Sequence, residues 1–312
     1  MSRAATFASA ATLLAIAAVL TVLGVGEAEG GLPAWQAFVL GIVQGLTELL
    51  PISSSGHLIL VPWLGDWTYL EQNDAFNQTF DVALHLGTLV AVIAYFRRDI
   101  AELAAALAGS IARRRIRTPA ERTAWVVAVA TVPAAVVGGL GESLIAEHFG
   151  EPWQIAIFLA VFAVVLWLAD RRPERSAMQD VGLWGAFGIG CAQVLALMPG
   201  VSRSGITISA ARFLGLTRDE AARLSFLLLA PIVLGAVLLK GLTDVVLGDL
   251  PAGWKGPFLV GTLAAAGSGL LAIQGLLGYV RRHDYSVFVV YRLVLAAIVL
   301  LLIATGVREA TF

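Results

Sequence analysis

Two short segments rich in serine and glycine, residues 53–56 and 202–205, contain most of the side chains in this chain that could do chemistry. Each follows a proline, Pro51 or Pro199, that ends one helix and leaves a serine in position to cap the next. The exposed N–H groups and the dipole at the start of a helix favour an anion. We therefore expect an anion-binding site at both segments, with plain helix capping and no ligand as the alternative.

The first segment is flanked by groups that could move a proton. Gln44 and Glu48 are four residues apart, so they share one face of a helix. The neighbouring residues are apolar, which places Glu48 within the membrane, where an ionisable side chain is costly and usually functional. His57 follows one turn into the next helix and could act as a general base or a nucleophile. A Glu48 at the membrane interface and a His57 in a structural hydrogen bond are the alternatives.

The second segment carries an arginine between two serines, Ser202-Arg203-Ser204, with Thr207 one turn later. A buried arginine needs an anionic partner, and its planar guanidinium suits phosphate oxygens. We expect phosphate as the partner of Arg203, with a structural ion pair to Glu48 as the alternative. The residues expected to bind phosphate are Ser53, Ser55, Gly56, Ser202, Arg203, Ser204 and Thr207.

The elements that must position these residues are helices in a lipid bilayer. Hydrophobic residues make up 58% of the chain and charged residues only 14%, whereas a soluble domain carries about 25% charged residues. The net charge of −1 gives no basic field for nucleic acid, and the single cysteine, Cys191, cannot form a disulfide within the chain. This composition predicts an all-α, polytopic membrane helical bundle.

Seven apolar segments are long enough to cross a hydrocarbon core of ~30 Å as helices. They lie at about 5–25, 79–96, 123–141, 152–170, 221–242, 257–279 and 285–305. Two further apolar segments, 34–64 and 182–216, are interrupted at the prolines. Because lipid cannot satisfy interrupted backbone, we expect other helices or a cavity to surround both interruptions.

Arginines cluster in three predicted loops, which the positive-inside rule places in the cytoplasm. The clustered residues are Arg97, Arg98, Arg113, Arg114, Arg115 and Arg117; Arg171, Arg172 and Arg175; and Arg281 and Arg282. This assignment is consistent only if each interrupted segment enters and leaves on one side of the membrane. We therefore predict two opposed re-entrant helix hairpins, with 34–64 entering from outside and 182–216 from the cytoplasm.

The two interrupted segments also resemble each other in sequence. Residues 41–56 align without a gap on residues 190–205, an offset of 149, with six identities in sixteen positions. Gln44 aligns with Gln193, and we expect both to support the site. An inverted-topology repeat with halves at about 34–141 and 182–279 would place the site near the membrane midplane. Chance similarity of two broken helices is the alternative.

Residues 31–312 are predicted to form one membrane domain, preceded by an N-terminal extension of residues 1–30. Arg3 and the apolar residues 11–25 fit either an additional span or a signal peptide. A clear A-x-A cleavage site is missing, although the small residues at 24–28 could attract a peptidase. We expect a retained span, with the signal peptide as the alternative.

The motifs at both interruptions resemble those of a known family. The segment QGLTELLPISSSGH, from Gln44 to His57, resembles the first signature of the bacitracin-resistance type undecaprenyl-diphosphate phosphatases. The segment PGVSRSGIT, from Pro199 to Thr207, resembles the second, and the resemblance covers about residues 34–305. It implies a membrane enzyme that hydrolyses undecaprenyl diphosphate to undecaprenyl phosphate and inorganic phosphate, which recycles the lipid carrier of peptidoglycan synthesis and confers bacitracin resistance.

The same resemblance implies roles for individual residues. Glu48, Ser54, His57 and Arg203 match functional positions of the family, with the attack left open between Ser54 and water, and the base between His57 and Glu48. Gln44 is at a position that varies between Glu and Gln in the family, so one carboxylate is absent here. The family is similar to divalent-cation-dependent phosphatases, which implies Mg²⁺ or Ca²⁺ held by Glu48 and the substrate phosphates.

The partners implied are a polyprenyl diphosphate and membrane lipids, with a homodimer left open. The implied location is the plasma (inner) membrane of a bacterium, with the site open to the outer, periplasmic side. A transporter or flippase for a lipid phosphate or a small anion is the alternative function, because opposed re-entrant hairpins are also transporter architecture. A carrier needs anion ligands such as Arg203, but it does not need a nucleophile and a base.

Overall fold

The computed structural model describes residues 1–25, 31–247 and 250–311, and this part of the chain is helical and contains no β-strand. The helices are α1 (Arg3–Val22), α2 (Ala34–Leu49), α3 (Ser54–Gly65), α4 (Thr68–Gln72), α5 (Asp74–Arg113), α6 (Pro119–His148), α7 (Pro152–Asp170), α8 (Leu183–Val194), α9 (Arg203–Phe213), α10 (Arg218–Lys240), α11 (Lys255–Val280) and α12 (Ser286–Ala304). A 3₁₀ turn at Leu195–Leu197 extends α8.

Seven of the helices in the described residues are long and apolar enough to cross a membrane. They are α1, α5, α6, α7, α10, α11 and α12, and each overlaps one of the seven apolar segments identified in the sequence over most of its length. The predicted class, an all-α polytopic membrane bundle, is therefore confirmed.

Each interrupted segment forms two shorter helices that run back along each other. In the first, Trp35 at the start of α2 and Trp67 just after α3 lie with ring centroids 5.0 Å apart. In the second, a Cβ added to Gly185 near the start of α8 would lie 3.2 Å from Cδ1 of Leu214, just after α9. The ends of each segment thus lie together, as in a hairpin. The orientation of the hairpins in a membrane stays a prediction.

One predicted loop is wrong in its extent. α5 continues to Arg113, so Arg97, Arg98 and Arg113 lie on a helix and not in a loop. The only non-helical backbone within α5 is at Phe96, with φ −97° and ψ 19°, at the end of the predicted span. The helix resumes there because residues 101–108 are almost all alanine and leucine, which have the highest helix propensities.

α1 packs along α11 through small residues. Ala10 and Ala17 are both fully buried. A Cβ on Gly267 of α11 would lie 2.8 Å from Cγ of Leu14, so the two backbones approach closely. The N-terminal ammonium of Met1 donates a hydrogen bond to the Tyr95 carbonyl at 3.4 Å. α1 thus packs as part of the bundle, and the choice between a retained span and a signal peptide stays a prediction. Residues 26–28 of the suggested cleavage segment lie outside the described residues, and the boundary at residue 30 stays a prediction.

α11 is the scaffold for the helices that carry the first hairpin. Among the candidate spans it is the most enclosed, with 78% of its apolar window buried. Gly45 of α2 lies directly on it, since a Cβ added there would be 2.6 Å from the Gly269 backbone nitrogen. Gly87 of α5 contacts it in the same way, with a Cβ position 2.8 Å from Cβ of Ala265. Small residues at such interfaces let helix backbones approach closely in a membrane.

At one end of the bundle, buried ion pairs hold four helices together. The Asp170 carboxylate at the end of α7 accepts hydrogen bonds from Arg218 Nε at 2.7 Å and from the Tyr285 backbone N–H at 2.9 Å. Arg212 of α9 is 1% exposed and donates to the carbonyls of Asp170, at 3.0 Å, and Leu216. The ends of α7 and α9 and the starts of α10 and α12 are thereby joined.

The contact between Gly45 and α11 predicts the effect of one added methyl group. We expect Gly45→Ala to lower the melting temperature of the detergent-solubilised protein, because overpacking a close interface costs about 1–3 kcal/mol. Gly275→Ala in α11 is the control, since a Cβ there has no heavy atom within 4 Å. A Gly45→Ala protein that melts with the wild type would contradict this packing.

Candidate functional site

The tips of the two hairpins have the same local backbone. Ser53 precedes α3 with φ 76° and ψ 95°, and Ser202 precedes α9 with φ 77° and ψ 112°. Each side-chain oxygen accepts a hydrogen bond from the N–H three residues later, Gly56 at 3.4 Å and Gly205 at 3.1 Å. Positive φ is strained for serine and persists only where surrounding structure enforces it. The matched strain 149 residues apart supports the pairing of these positions inferred from the sequence.

The two tips contact each other. The Gly200 backbone N–H donates to Ser53 Oγ at 3.1 Å, and Ser204 Oγ donates to the Leu50 carbonyl at 2.9 Å. Ser202 Oγ lies 3.3 Å from Ser204 Oγ. The hydroxyls of Ser53, Ser202 and Ser204 therefore join the tips and cap their helices. Ser53 and Ser202 cap α3 and α9, whereas Ser204 bonds the first tip. Phosphate binding by these three residues stays a prediction, and the site forms where the tips meet.

A buried arginine that the sequence analysis missed holds both tips. Arg292 of α12 is fully buried. Its Nη2 donates to the carbonyls of Gly200, at 2.9 Å, and Val201, at 3.0 Å, and its Nη1 donates to the carbonyl of Pro51 at 3.3 Å. The first two carbonyls belong to the second tip and the third to the first tip. The signal was present in the sequence, because an arginine within an apolar span is functional by default.

Glu48 is the centre of the polar cluster between the tips. It is 5% exposed, and Ser54 Oγ donates a short hydrogen bond to its Oε2. Arg203 Nε donates to Oε1 at 3.0 Å. His85 of α5 places Nε2 3.4 Å from Oε2. The cluster thus contains one carboxylate, one serine hydroxyl bound to it and two basic side chains.

Arg203 keeps donor capacity beyond its ion pair with Glu48. Its Nη1 donates to the Ser225 carbonyl at 2.7 Å. Its Nη2 is buried and has no hydrogen-bond partner among the described residues. A buried donor without a partner raises the free energy of the folded protein unless a ligand accepts its hydrogen bonds. The ion pair that was the alternative reading is present, and a free pair of N–H groups remains for an anion. Thr207 Oγ1, 2.8 Å from the Arg203 carbonyl, braces the first turn of α9.

His57 forms no hydrogen bond with the Ser54 hydroxyl in this structure. Its Nδ1 donates to the Ser53 carbonyl at 2.6 Å, which leaves Nε2 of the neutral ring to accept from the Tyr291 hydroxyl at 2.7 Å. The two rings are stacked, with centroids 5.7 Å apart. Tyr291, adjacent to Arg292 on α12, is a second residue that the sequence analysis missed. Its position 234 residues from His57 leaves no local signal in the sequence.

The two aligned glutamines are both buried. Gln44 lies one turn before Glu48, and neither its side-chain oxygen nor its nitrogen has a hydrogen-bond partner among the described residues. Gln193 donates to the Ala130 carbonyl at 3.4 Å. Ser55 is half-buried at the first turn of α3. Gln44 therefore has an unpartnered side-chain oxygen one turn before Glu48 on α2, whereas Gln193 braces α8 against α6.

The position of Arg292 predicts that a lysine cannot replace it. A lysine keeps the charge but loses the planar fork that reaches carbonyls of both tips. We expect Arg292→Lys to destabilise the protein by about 3 kcal/mol or more, since hydrogen bonds to charged groups contribute about 1.5–3 kcal/mol each. Thermal unfolding in detergent measures this, with Arg282→Lys, an exposed arginine, as the control. Equal melting of the two variants would show that Arg292 does not hold the tips.

Known proteins similar to this chain share nearly its whole length. Residues 37–298 match the family described as bacitracin resistance protein BacA. The undecaprenyl-diphosphatase of Geobacter sulfurreducens is 50% identical over 268 residues, covering 85% of this chain and 96% of the relative. The undecaprenyl-diphosphatase of Thermomicrobium roseum is 46% identical over 280 residues, covering 86% and 98%. The chain therefore belongs to the bacitracin resistance protein BacA family.

Proposed function

We propose that this chain is an integral membrane phosphatase that hydrolyses undecaprenyl diphosphate to undecaprenyl phosphate and inorganic phosphate, and that it thereby recycles the lipid carrier of peptidoglycan synthesis and confers bacitracin resistance. The single observation that carries the proposal is the Ser54–Glu48 hydrogen bond beside the unpartnered Nη2 of Arg203. These groups supply a nucleophile, a base and an anion clamp at one point. The relatives, named undecaprenyl-diphosphatase, have the matching activity.

Substrate binding follows from the position of the cluster inside a helical membrane bundle. The polyprenyl tail lies in lipid, and the diphosphate reaches the tips. Arg203 Nη2 donates to a phosphate oxygen, and the backbone N–H groups at the start of α3 and α9 add to the favourable field for an anion. Ser55 and Gly56 lie in the first turn of α3, and Thr207 supports α9 beneath Arg203. Charge stabilisation of this kind is the main demand in phosphoryl transfer.

The chemical step begins at Ser54. Its Oγ attacks the terminal phosphorus while Glu48 accepts the hydroxyl proton, so an Oγ–P bond forms and the bond from phosphorus to the bridging oxygen breaks. Undecaprenyl phosphate departs with the bridging oxygen and takes up the proton from Glu48. Water then attacks the phosphoserine, and Glu48 moves a water proton to Oγ as inorganic phosphate leaves. This assigns the attack to Ser54, with direct water attack as the alternative.

We assign the base to Glu48 and not to His57. Glu48 accepts the hydrogen bond of the Ser54 hydroxyl, whereas both ring nitrogens of His57 are bonded elsewhere, to Ser53 and Tyr291. His57 instead holds the strained Ser53 carbonyl and so positions the start of α3, which carries Ser54. His85, on the open side of Glu48 with 29% of its side chain exposed, adds a second basic group near the phosphates.

We propose that a divalent cation, Mg²⁺ or Ca²⁺, binds together with the substrate. The residues present fit such an ion, because the Gln44 side-chain oxygen is free and lies one turn from the Glu48 carboxylate. No group of three His, Cys, Asp or Glu side chains that could hold a metal occurs within the described residues. Mg²⁺ is commonly held by one or two carboxylates plus substrate phosphates. When bound, the ion would neutralise charge on the diphosphate.

We further propose that the protein lies in the plasma (inner) membrane of a bacterium and that the site opens to the outer, periplasmic side. The seven candidate spans support a multi-pass membrane protein. The arginine-rich ends support the orientation by the positive-inside rule. A homodimer stays a prediction. A carrier for lipid phosphate has the same hairpins, but it would have no use for the Ser54–Glu48 pair.

Release of inorganic phosphate from undecaprenyl diphosphate by the purified protein tests the function and its residues together. We expect Arg203→Ala and Ser54→Ala each to lower the rate by about 100-fold or more, because each removes a group that acts in the transition state. Arg282→Ala is the matched control for the loss of an arginine. Acid quenching during turnover should trap phosphate on Ser54, as identified by peptide mass spectrometry.

Three results would contradict parts of this proposal. A Ser54→Ala protein with the wild-type rate would assign the attack to water. An Arg203→Ala protein with the wild-type rate would remove the anion clamp. A wild type that is folded and binds the diphosphate but releases no phosphate would favour the carrier.

The cation proposal has its own test at Gln44. Removal of divalent ions with EDTA should abolish phosphate release, and Mg²⁺ or Ca²⁺ should restore it. We expect Gln44→Glu to lower the cation concentration for half-maximal activity and Gln44→Leu to raise it, by about tenfold, because one oxygen ligand is strengthened or lost. Gln193→Leu, at the aligned position in the second hairpin, should leave that concentration unchanged. Equal responses of the two leucine variants would exclude Gln44 as a ligand.

A further inference from the structure

We propose that the turn between α5 and α6, together with the start of α8, forms a binding surface for anionic glycerophospholipids. The arginine turn, defined here as residues 111–122, has the sequence IARRRIRTPAER. It belongs to the end of the bundle that the positive-inside rule places in the cytoplasm. The inference is independent of the hydrolytic site and of the proposed reaction.

The arginine turn has a fixed shape. Glu121, 2% exposed, accepts hydrogen bonds from the backbone N–H groups of Arg117 at 2.5 Å and Thr118 at 3.3 Å, and from the side chain of Arg113. Trp125 Nε1 donates to Ser110 Oγ at 2.9 Å and ties the end of α5 to α6. A surface held in this way loses little conformational entropy on binding.

Because the Glu121 carboxylate is already bonded to Arg113 and to backbone N–H groups of the turn, the remaining arginines of the turn have no acidic partner there. Four exposed arginines form no ion pair among the described residues, namely Arg114, Arg115, Arg117 and Arg122. Two other arginines at this end of the bundle are paired, Arg218 with Asp170 and Arg281 with Asp219. The arginine turn is therefore a local excess of positive charge and not part of a balanced network.

Large apolar side chains stand exposed around these arginines. Ile111 is 56% exposed and Ile116 is 40% exposed within the turn, and at the start of α8 Leu183 is 51% exposed and Trp184 is 87% exposed. Alternation of basic and apolar side chains suits the boundary between headgroups and acyl chains, where tryptophan is enriched. A soluble anion would leave these apolar groups in water, whereas a phospholipid covers both.

A groove of about 470 Å³ connects the turn with the start of α8. Its lining includes Ile116, Arg122, Trp125, Val181 and Leu183. It also includes Asp180, whose carboxylate is bonded to the Ala177 backbone N–H at 2.9 Å. The groove thus offers one cation, Arg122, flanked by apolar side chains that continue to the exposed Trp184. A headgroup phosphate at Arg122 with an acyl chain along Leu183 fits this arrangement.

The expected affinity for an anionic lipid follows from the number of arginines in the turn. A basic residue near an anionic membrane surface favours binding by about fivefold. Loss of three arginines should therefore weaken the binding of an anionic lipid by at least about tenfold, and by up to about 100-fold, relative to a zwitterionic lipid.

Native mass spectrometry of the full-length, delipidated protein in a nonionic detergent tests the surface. Dissociation constants are measured for phosphatidylglycerol and for phosphatidylcholine with the same acyl chains. We expect the wild type to bind phosphatidylglycerol at least about tenfold more tightly, and the variant Arg114→Gln/Arg115→Gln/Arg117→Gln to lose most of this preference. The control variant Arg171→Gln/Arg175→Gln/Arg282→Gln removes three exposed arginines from the same end of the bundle and should keep the preference.

Each other outcome counts against the proposal. An equal loss of the preference for phosphatidylglycerol in both variants would show that the preference comes from the total positive charge at this end of the bundle and not from the arginine turn. A wild type that binds both lipids equally would contradict the proposed lipid site. Displacement of phosphatidylglycerol by millimolar inorganic phosphate would contradict it as well. Melting temperatures and phosphate release in detergent, both expected to match the wild type, confirm that the variants are folded.

Discussion

The constraint on which this structure depends is the need to satisfy interrupted backbone inside a membrane. A helix that breaks among lipid-facing helices leaves N–H and C=O groups that no water can reach. Here the two breaks supply each other with partners, as in the hydrogen bond from Gly200 to Ser53. Arg292 satisfies carbonyls of both tips from a third helix, α12. The cost of the broken helices is offset by this shared network, which also determines where polar side chains can gather.

The network makes two tips of the same backbone into one site of unequal chemistry. At the offset of 149, Ser54 aligns with Arg203, so the proposed nucleophile and the proposed anion ligand occupy equivalent positions at the starts of α3 and α9. Glu48 aligns with Leu197 and His57 with Ile206, so the second tip has neither a carboxylate nor an imidazole. The two aligned segments therefore share their helix starts and strained serines, and they differ in the side chains at the positions to which we assign the chemistry.

The remaining helices determine the depth and rigidity of that site. Small residues on α2 and α5 let both helices lie against α11, and this contact brings Glu48 and His85 to one point. Close packing of this kind lets helices associate in a membrane, where no hydrophobic effect drives them together. Other helices are joined by polar contacts instead. Asp170 and Arg212 connect the ends of α7 and α9 with the starts of α10 and α12 through buried polar contacts.

Local and compositional features of the sequence were enough to determine the membrane class, the seven long helices and the two interruptions. They also made Glu48 and Arg203 candidate residues, whereas Ser54 became one through the resemblance to a known family. These features depend on runs of apolar residues and on the spacing of proline, serine and glycine, which act within a few residues of each other. The extent of α5 was the error, because helix propensity continued the helix past the end of the apolar run. The tertiary structure alone decided that His57 binds Tyr291, that His85 meets Glu48, and that Arg292 holds both tips. Those partners are 37 to 241 residues apart along the chain, and only the packing of whole helices determines which side chains meet.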